Sequence, residues 1–312
     1  MEDPLVSVIL PTYKRPEKLK RAVDSALSQT YKNLEIFVIN DDPETDITKT
    51  ITSDKVICIN NPRNLGAAES RNIAIRASNG DYIAFLDDDD SWLPNKIEKQ
   101  VEKFKELDDD YGVIYTWEKI ITNNRNGKER CPKKEGWIHE DILARNFMPS
   151  TSALVKKWCF SRAGMFDPEF QSSQDCDLWI RISNVCRFSL IPEMLTIRYI
   201  DGKDRINVNM EKRYSGSKML LEKHFDEFQK NHEILGQRYK TVGLYAGCIG
   251  KNDLASSYLK KAVENKPDAV SIAYLFASKL PVLISKPIFM VLECLRNKYN
   301  PSNPLNILYS IL

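Results

Sequence analysis

The feature that most constrains how this chain folds is a regular alternation of two patterns over its first 115 residues. Short apolar runs, rich in β-branched residues, alternate with segments whose apolar residues recur at helical spacing. The apolar runs occupy residues 6–10, 35–40, 55–60, 82–86 and 112–116. In the segment PEKLKRAVDSALSQT, for example, Leu19, Val23 and Ala26 fall on one helical face. The alternation predicts βαβ crossovers, and hence a Rossmann-like α/β class with a mostly parallel sheet flanked by helices.

Polar residues follow three of these predicted strands. Residues 11–13 (Pro-Thr-Tyr) follow the first strand, Asp41 and Asp42 follow the second, and four consecutive aspartates at residues 87–90 follow the fourth. In an open α/β sheet, ligands bind outside the carboxyl ends of the strands. We therefore expect these three clusters to lie on one rim of the sheet and to form the functional site.

The four aspartates in FLDDDDSW repel one another unless they are solvated or share a cation. In an extended backbone Asp87 and Asp89 point to the same side. Magnesium takes oxygen ligands from one or two carboxylates and completes its shell with water and phosphate, and manganese accepts the same ligand types. The pattern therefore predicts a divalent cation held between these carboxylates and a diphosphate. A solvated acidic turn before the helix that follows Pro94 is the alternative.

Composition excludes several other classes of protein. A formal net charge of +2 over 312 residues gives no global field that would favour nucleic acid. Seven scattered cysteines without a CxxC pair predict reduced thiols rather than a disulfide framework or a zinc site. The start, MEDPLVSVIL, carries two acids where a secretion signal needs basic residues, and no apolar run reaches the roughly 18 residues of a membrane span. We therefore expect a cytoplasmic protein.

Four segments of the chain resemble glycosyltransferase family 2, whose members have the GT-A fold. They are VSVILPTYKR, ALSQTYKNLEIFVINDD, NPRNLGAAESRNIAIRASNGDYIAFLDDDDSWLP and, at residues 166–182, FDPEFQSSQDCDLWIRI. Their order and spacing match the family over residues 5–205. The resemblance implies an inverting transfer of a sugar from a nucleoside diphosphate, most simply UDP, to a hydroxyl of a glycan or lipid-linked acceptor, with Mn²⁺ or Mg²⁺ as cofactor.

The resemblance also implies roles for single residues. Asp42 would accept a hydrogen bond from uracil, Asp87 and Asp89 would hold the metal, and Asp175 would be the general base. The residues implied in binding the donor are Pro11, Thr12, Tyr13, Asp42, Asn64, Gly66, Arg71, Asp87 and Asp88.

Several of these assignments have alternatives. Asp42 could simply end its strand in a turn, and Arg71 could form a surface ion pair on its helix. Asp177 competes with Asp175 for the role of the base, and Asp175 could instead cap the helix that begins near it.

Two positions depart from the family pattern. Gln174 stands where the family often has a glutamate beside the base, which removes a like charge and should leave the pKa of the base less raised. Ile200 stands where many relatives place a metal-ligating histidine, and an isoleucine cannot bind a metal.

Helical spacing dominates after about residue 205. We therefore predict a catalytic domain over residues 1–205 and a helical C-terminal region over residues 206–312. Within that region, residues 237–268 fit one tetratricopeptide-type helix pair, although two ordinary packed helices are the simpler interpretation.

The apolar segment at residues 270–298 allows two interpretations. Lys279 and Lys286 lie there among many Leu, Ile and Phe residues, a mixture suited to the interface of an anionic membrane. Peripheral contact with the cytoplasmic face of a membrane is one prediction. A buried helical hairpin packed on the catalytic domain is the other.

Two rival functions stay open. The octet FLDDDDSW also resembles the haloacid-dehalogenase phosphohydrolase motif, with Asp87 as nucleophile and Asp89 as acid and base. Proteins of that class usually carry the motif on their first strand, whereas here three predicted strands precede it. A degenerate transferase that only binds a nucleotide sugar, or serves as an interaction module, is the second. The presence of both Asp89 and Asp175 argues against lost catalysis.

Overall fold

The computed structural model describes residues 3–47, 50–51, 53–122, 125–200 and 209–298. Its contacts divide the chain into two compact units. The first, here called the sheet unit, comprises residues 1–170 and 174–203, and the second, the helical unit, comprises residues 171–173 and 204–312.

The sheet unit contains nine strands and six α-helices among its described residues. The strands are β1 (Val6–Thr12), β2 (Leu34–Asn40), β3 (Val56–Asn60), β4 (Tyr82–Phe85), β5 (Asp90–Trp92), β6 (Tyr111–Thr122), β7 (Arg125–Arg130), β8 (Leu154–Lys156) and β9 (Arg187–Ile200). The helices are α1 (Pro16–Leu27), α2 (Gly66–Ala77), α3 (Lys96–Lys105), α4 (His139–Ala144), α5 (Trp158–Ala163) and α6 (Gln174–Ser183).

The strands form one mixed sheet in the order β3-β2-β1-β4-β8-β6-β9-β5, and β7 pairs with β6 outside this path. The half formed by β3, β2, β1 and β4 is parallel. In the other half β9 runs parallel to β6, whereas β8, β7 and β5 make antiparallel pairs. The predicted α/β class is confirmed, and the predicted parallel order holds for the N-terminal half of the sheet.

The core of the sheet unit explains why β1 is an unbroken apolar run. A strand with helices on both faces buries every side chain, and all seven residues of β1 are buried. The core of the sheet unit also includes the apolar face predicted for α1 and the apolar face of α3. Members of this cluster include Val8, Leu10, Leu19, Val23, Ile97 and Val101. Each such side chain contributes about 1.5–3 kcal/mol when it leaves water.

Strand register places the three polar clusters at one edge of the sheet. Thr12 lies opposite Asn40 on β2, and Ile9 lies opposite Phe85 on β4. The carboxyl ends of β1, β2 and β4 are therefore neighbours, and the residues that follow them share a rim. The expected convergence of the clusters is confirmed.

The described part of the helical unit contains six helices joined by short connections. The helices are α7 (Met210–Lys223), α8 (Phe225–Phe228), α9 (His232–Cys248), α10 (Asn252–Asn265), α11 (Ala269–Ser278) and α12 (Val282–Lys298). Gly243 on α9 allows a close approach of α10, because a Cβ there would lie 2.7 Å from Leu259 Cγ. Among the described helices, none has both the length and the apolar character needed to cross a membrane.

Candidate active site

Three of the four consecutive aspartates converge. One carboxylate oxygen from each of Asp87, Asp89 and Asp90 lies within 4.8 Å of the others. Oxygen ligands at this spacing fit a single hard divalent cation. Asp87 and Asp89 are the predicted metal ligands. Asp90 was missed because it belongs to β5, a three-residue strand with no periodicity of its own.

Guanidinium groups offset the repulsion among these carboxylates. Arg15 Nη1 lies 3.2 Å from Asp88 Oδ1 and 3.5 Å from Asp89 Oδ2. Arg21 Nη2 donates a hydrogen bond of 2.8 Å to the backbone carbonyl of Asp89. Both arginines come from the basic stretch KRPEKLKR after β1. This basic stretch could have indicated from the sequence that arginines lie near the aspartates, but it was not used in the prediction.

Asp88 is not part of this group of three, and its carboxylate ties the loop to β1. Its Oδ2 accepts a hydrogen bond of 2.9 Å from Thr12 Oγ1. Burial raises the pKa of Asp88 to about 6, and the charge of Arg15 only partly opposes this shift. The predicted donor residues Thr12 and Asp88 are thus bonded to each other at the rim.

The end of β2 carries two aspartates with different partners. Asp42 is buried, and its carboxylate accepts hydrogen bonds within its own turn, from the backbone N–H of Glu44 at 3.3 Å and from the hydroxyl of Thr45. Asp41 accepts hydrogen bonds of 2.8 Å and 2.9 Å from the backbone N–H groups of Leu65 and Gly66. Asp41 therefore fixes the start of α2, while the role of Asp42 in binding a base stays a prediction.

The other predicted donor residues surround this rim. Pro11 is buried near the end of β1, Tyr13 is exposed just beyond it, and Asn64 is exposed before α2. Gly66 begins α2 with a φ of 85°, a conformation that favours glycine. Their roles in donor binding also stay predictions.

Arg71 links the acidic cluster to the start of α6. This side chain is buried, and the ion pair that it forms is with Asp87, whose side chain is 38% exposed, so its role in donor binding stays a prediction. Its Nη2 lies 2.7 Å from Asp87 Oδ1, and its Nη1 donates a hydrogen bond of 3.1 Å to Gln174 Oε1. One nitrogen of the Arg71 guanidinium therefore binds the amide oxygen of Gln174. The other nitrogen pairs with Asp87, a predicted metal ligand.

Asp175 and Asp177 differ in what surrounds them. Asp175 is partly exposed, and its carboxylate accepts hydrogen bonds of 3.0 Å from Asn146 Nδ2 and 2.8 Å from the backbone N–H of Cys176. Asp177 is fully buried, and its Oδ2 lies 2.7 Å from Arg181 Nη2. Arg181 also donates to the carbonyls of residues 163–165, which makes this pair a structural tie. This difference in surroundings favours Asp175 over Asp177, and its role as the base stays a prediction.

A buried glutamate holds two further arginines near both groups of carboxylates. Glu118 on β6 lies 2.7 Å from Arg130 Nη1 and 3.8 Å from Arg198 Nη1. Burial works against the charge of Arg198, but the carboxylates of Glu118, Asp90, Asp87 and Asp175 together raise its pKa. The positively charged guanidinium of Arg198 thus interacts electrostatically with both the acidic cluster and Asp175, the candidate base.

Arg198 also bears on the departure at Ile200. Both residues lie at the end of β9, where Ile200 is exposed and Arg198 pairs in register with Asp90 on β5. The family resemblance implies a histidine ligand at position 200. The structure has the positively charged side chain of Arg198 two residues before that position. Sequence reasoning missed Arg198 because its partners come from distant strands.

Comparison with known proteins gives one matching family model and several curated relatives. The model described as "Glycosyl transferase family 2" matches residues 7–160. "Uncharacterized glycosyltransferase MJ1057" of Methanocaldococcus jannaschii is 34% identical over 236 residues, which is 72% of this chain and 81% of that protein. "UDP-Glc:alpha-D-GlcNAc-diphosphoundecaprenol beta-1,3-glucosyltransferase WfaP" of Escherichia coli is 45% identical over 100 residues, which is 31% of this chain and 40% of that protein.

A solved structure also resembles the chain. "S. aureus TarS 1-349 in complex with UDP-GlcNAc" superposes with a TM-score of 0.67 at 16% identity, covering 95% of this chain and 93% of that chain. At this identity the likeness shows a shared fold.

Proposed function

The chain is a glycosyltransferase that belongs to family 2, and we propose that it transfers a sugar with inversion, and with the help of a divalent cation, from a UDP-sugar to a hydroxyl group of a lipid-linked glycan. One observation carries the proposal. A cluster of three carboxylates spaced for a cation is joined, through Arg71 and Gln174, to the helix that presents Asp175. The residues proposed to stabilise the leaving diphosphate are therefore connected, through side-chain contacts, to the helix that carries the proposed base.

The acidic cluster would hold the cation. Asp87, Asp89 and Asp90 supply oxygen atoms of the type that Mn²⁺ and Mg²⁺ prefer, and phosphate and water complete such a shell. When bound, the ion supplies charge stabilisation for a departing diphosphate. Arg71 orients Asp87, and Arg15 orients Asp89 from the other side.

The donor is proposed to be a UDP-sugar. The Escherichia coli relative is named for its use of UDP-Glc, and the TarS structure contains UDP-GlcNAc. In this chain Asp42 would accept the N3–H of uracil, and residues 11–13, Asn64 and Gly66 would line the nucleotide. Glucose is the first sugar to test, because the relative's name specifies it.

Asp175 is proposed as the general base. A carboxylate that accepts the proton of the acceptor hydroxyl as it attacks contributes about 10²–10⁴-fold to the rate. Asn146 Nδ2 holds one carboxylate oxygen and the backbone N–H of Cys176 holds the other, so the group is oriented. Attack by the hydroxyl itself, without a covalent enzyme intermediate, inverts the anomeric centre.

The acceptor class follows from the same relative, which acts on GlcNAc linked to diphosphoundecaprenol. We therefore propose a lipid-linked acceptor and a position on the cytoplasmic face of a membrane, where the C-terminal region would make peripheral contact.

A transfer assay tests the proposal. Purified protein is incubated with UDP-[¹⁴C]glucose, manganese and a synthetic GlcNAc-diphosphate lipid. We expect a labelled lipid whose new bond is β by NMR, and no product after chelation or with Asp89→Ala. Glu44→Ala removes an exposed carboxylate beside the rim, and this control variant should stay active. Release of UDP without a labelled lipid across a panel of UDP-sugars, or full activity of Asp89→Ala, would contradict the proposal.

A further inference from the structure

Helix α12 is more apolar on its exposed side than on its buried side. Ser285, Phe289 and Glu293 recur every four residues, and all three are buried. A helix of a water-soluble unit normally buries its apolar stripe and exposes its polar one. Here a serine and a glutamate lie on the buried stripe, while the opposite side consists of large apolar residues.

Three specific contacts fix this orientation. Ser285 Oγ lies 2.7 Å from Asn252 Nδ2 on α10, and Glu293 Oε1 lies 2.5 Å from Arg213 Nη1 on α7. The ring of Phe289 fills the space above Gly247 on α9, where an added Cβ would lie 2.3 Å from a ring carbon. Rotation of the helix to bury its other side would break all three contacts.

The exposed side forms a surface that we call the apolar face. On α12, Leu283 and Val291 lie two turns apart, and Leu283 is 92% exposed. On α11, Phe276 is 69% exposed. Leu280, in the turn between the two helices, is exposed as well. The face consists of Ile272, Phe276, Leu280, Leu283, Ile284, Ile288 and Val291. Scattered single apolar residues are normal on a protein surface, whereas a concentration of them in one short segment points to a site of interaction.

The exposed charges carried by α11, α12 and the turn between them have one sign. Lys279 and Lys286 are exposed between its apolar side chains. The only acidic residue from Ala269 to Arg296 is Glu293, which is buried against Arg213. Among the described side chains of this segment, every exposed charge is therefore positive.

We propose that the apolar face docks on a bilayer that carries anionic headgroups. Its Leu, Ile, Val and Phe side chains would enter the boundary between headgroups and acyl chains, and the two lysines would meet lipid phosphates. A symmetric contact with a second copy would bring the same lysines towards one another, which is unfavourable. This inference deepens the proposed function. It rests on that function in one respect, namely that the membrane is the one that carries the lipid-linked acceptor.

Flotation of the full-length chain with lipid vesicles tests the inference without any catalytic step. The chain is mixed with vesicles of phosphatidylcholine alone, or of equimolar phosphatidylcholine and phosphatidylglycerol, and centrifuged through sucrose. We expect it to float with the anionic vesicles and much less with the neutral ones. The double variant Leu283→Glu/Val291→Glu should partition roughly tenfold less, because two charges would enter the interface.

Ile57→Glu is the matched control. It places one glutamate, half the charge added by the double variant, at an exposed apolar position on β3, and it should float like the natural chain. Circular dichroism melting shows whether each variant is folded. The inference is overturned if the natural chain stays at the bottom of the gradient with anionic vesicles, or if the double variant floats equally well. It is also overturned if light scattering shows a dimer that the double variant abolishes, without flotation. Transfer to a soluble acceptor analogue, measured in parallel, reports on the proposed function alone.

Discussion

At the scale of single residues, the partners of each carboxylate decide what it can do. The sequence places two aspartates two positions apart at the start of α6, and either could act as a base. Asp177 is buried on an arginine that also binds three carbonyls, whereas Asp175 is partly exposed and held by Asn146. The chemistry follows from this difference in surroundings.

The pair supplies a matched test. Asp175→Asn should lower kcat by about 10²–10⁴-fold, because the base is lost, while UDP affinity measured by calorimetry stays the same. Asp177→Asn should instead lower the free energy of unfolding by about 3 kcal/mol, because Arg181 would be left without its carboxylate. Its kcat, measured below the melting temperature, should remain near that of the natural chain. Equal loss of kcat in both variants would contradict the assignment.

Lys96 gives a second test at this scale. The amine is fully buried, 2.8 Å from Gln100 Oε1 and 4.2 Å from the centre of the Trp92 ring, and burial holds its pKa well below the ordinary value. The folded chain therefore binds fewer protons than the unfolded chain between that lowered pKa and about 10.4. Fewer bound protons in the folded state mean that stability rises with pH over this window.

We expect the free energy of unfolding of the natural chain, relative to Lys96→Met, to increase as the pH rises from the lowered pKa towards about pH 10. Urea titrations at several pH values measure this difference. A difference that does not change with pH would mean that Lys96 is charged in the folded state.

At the scale of elements, the sequence predicts those parts whose signal is local. The runs that became β1 to β4 and the amphipathic faces of α1, α2 and α3 could be identified because burial on one or both sides leaves a periodic pattern. The strand β5 spans only three residues, beginning at the last of the four aspartates, and it exists because it pairs with β9 more than 100 residues later. Asp90 and Arg198 were missed for this reason.

The ion-pair cluster where β6, β7 and β9 meet is a testable property of these elements. Glu118→Gln should destabilise the sheet unit by about 3 kcal/mol, because Arg130 and Arg198 would lose the buried carboxylate they share. Urea denaturation followed by tryptophan fluorescence measures this loss. Glu129→Gln, an exposed position on β7, should change stability by less than about 0.5 kcal/mol. A neutral effect of Glu118→Gln would show that the cluster does not stabilise the fold.

At the scale of the whole molecule, a formal net charge of +2 hides a strong local separation of charge. Four aspartates lie together at one rim of the sheet, and Arg15, Arg71 and Arg198 come to them from three different elements. The sequence indicates the acids because they are consecutive, and the family resemblance indicates the base. The resemblance also indicates Arg71, and the basic stretch after β1 contains Arg15, but Arg198 could not be assigned to the cluster because its position there depends on the folded chain.

Anomalous diffraction from crystals grown with UDP and Mn²⁺ tests most directly whether the acidic rim holds a cation against the leaving diphosphate. We predict one manganese peak within coordination distance of carboxylate oxygens from Asp89 and at least one of Asp87 and Asp90, and of a UDP phosphate. Bound UDP with Asp89 still paired to Arg15, and no manganese peak near any of the three carboxylates, would contradict the account.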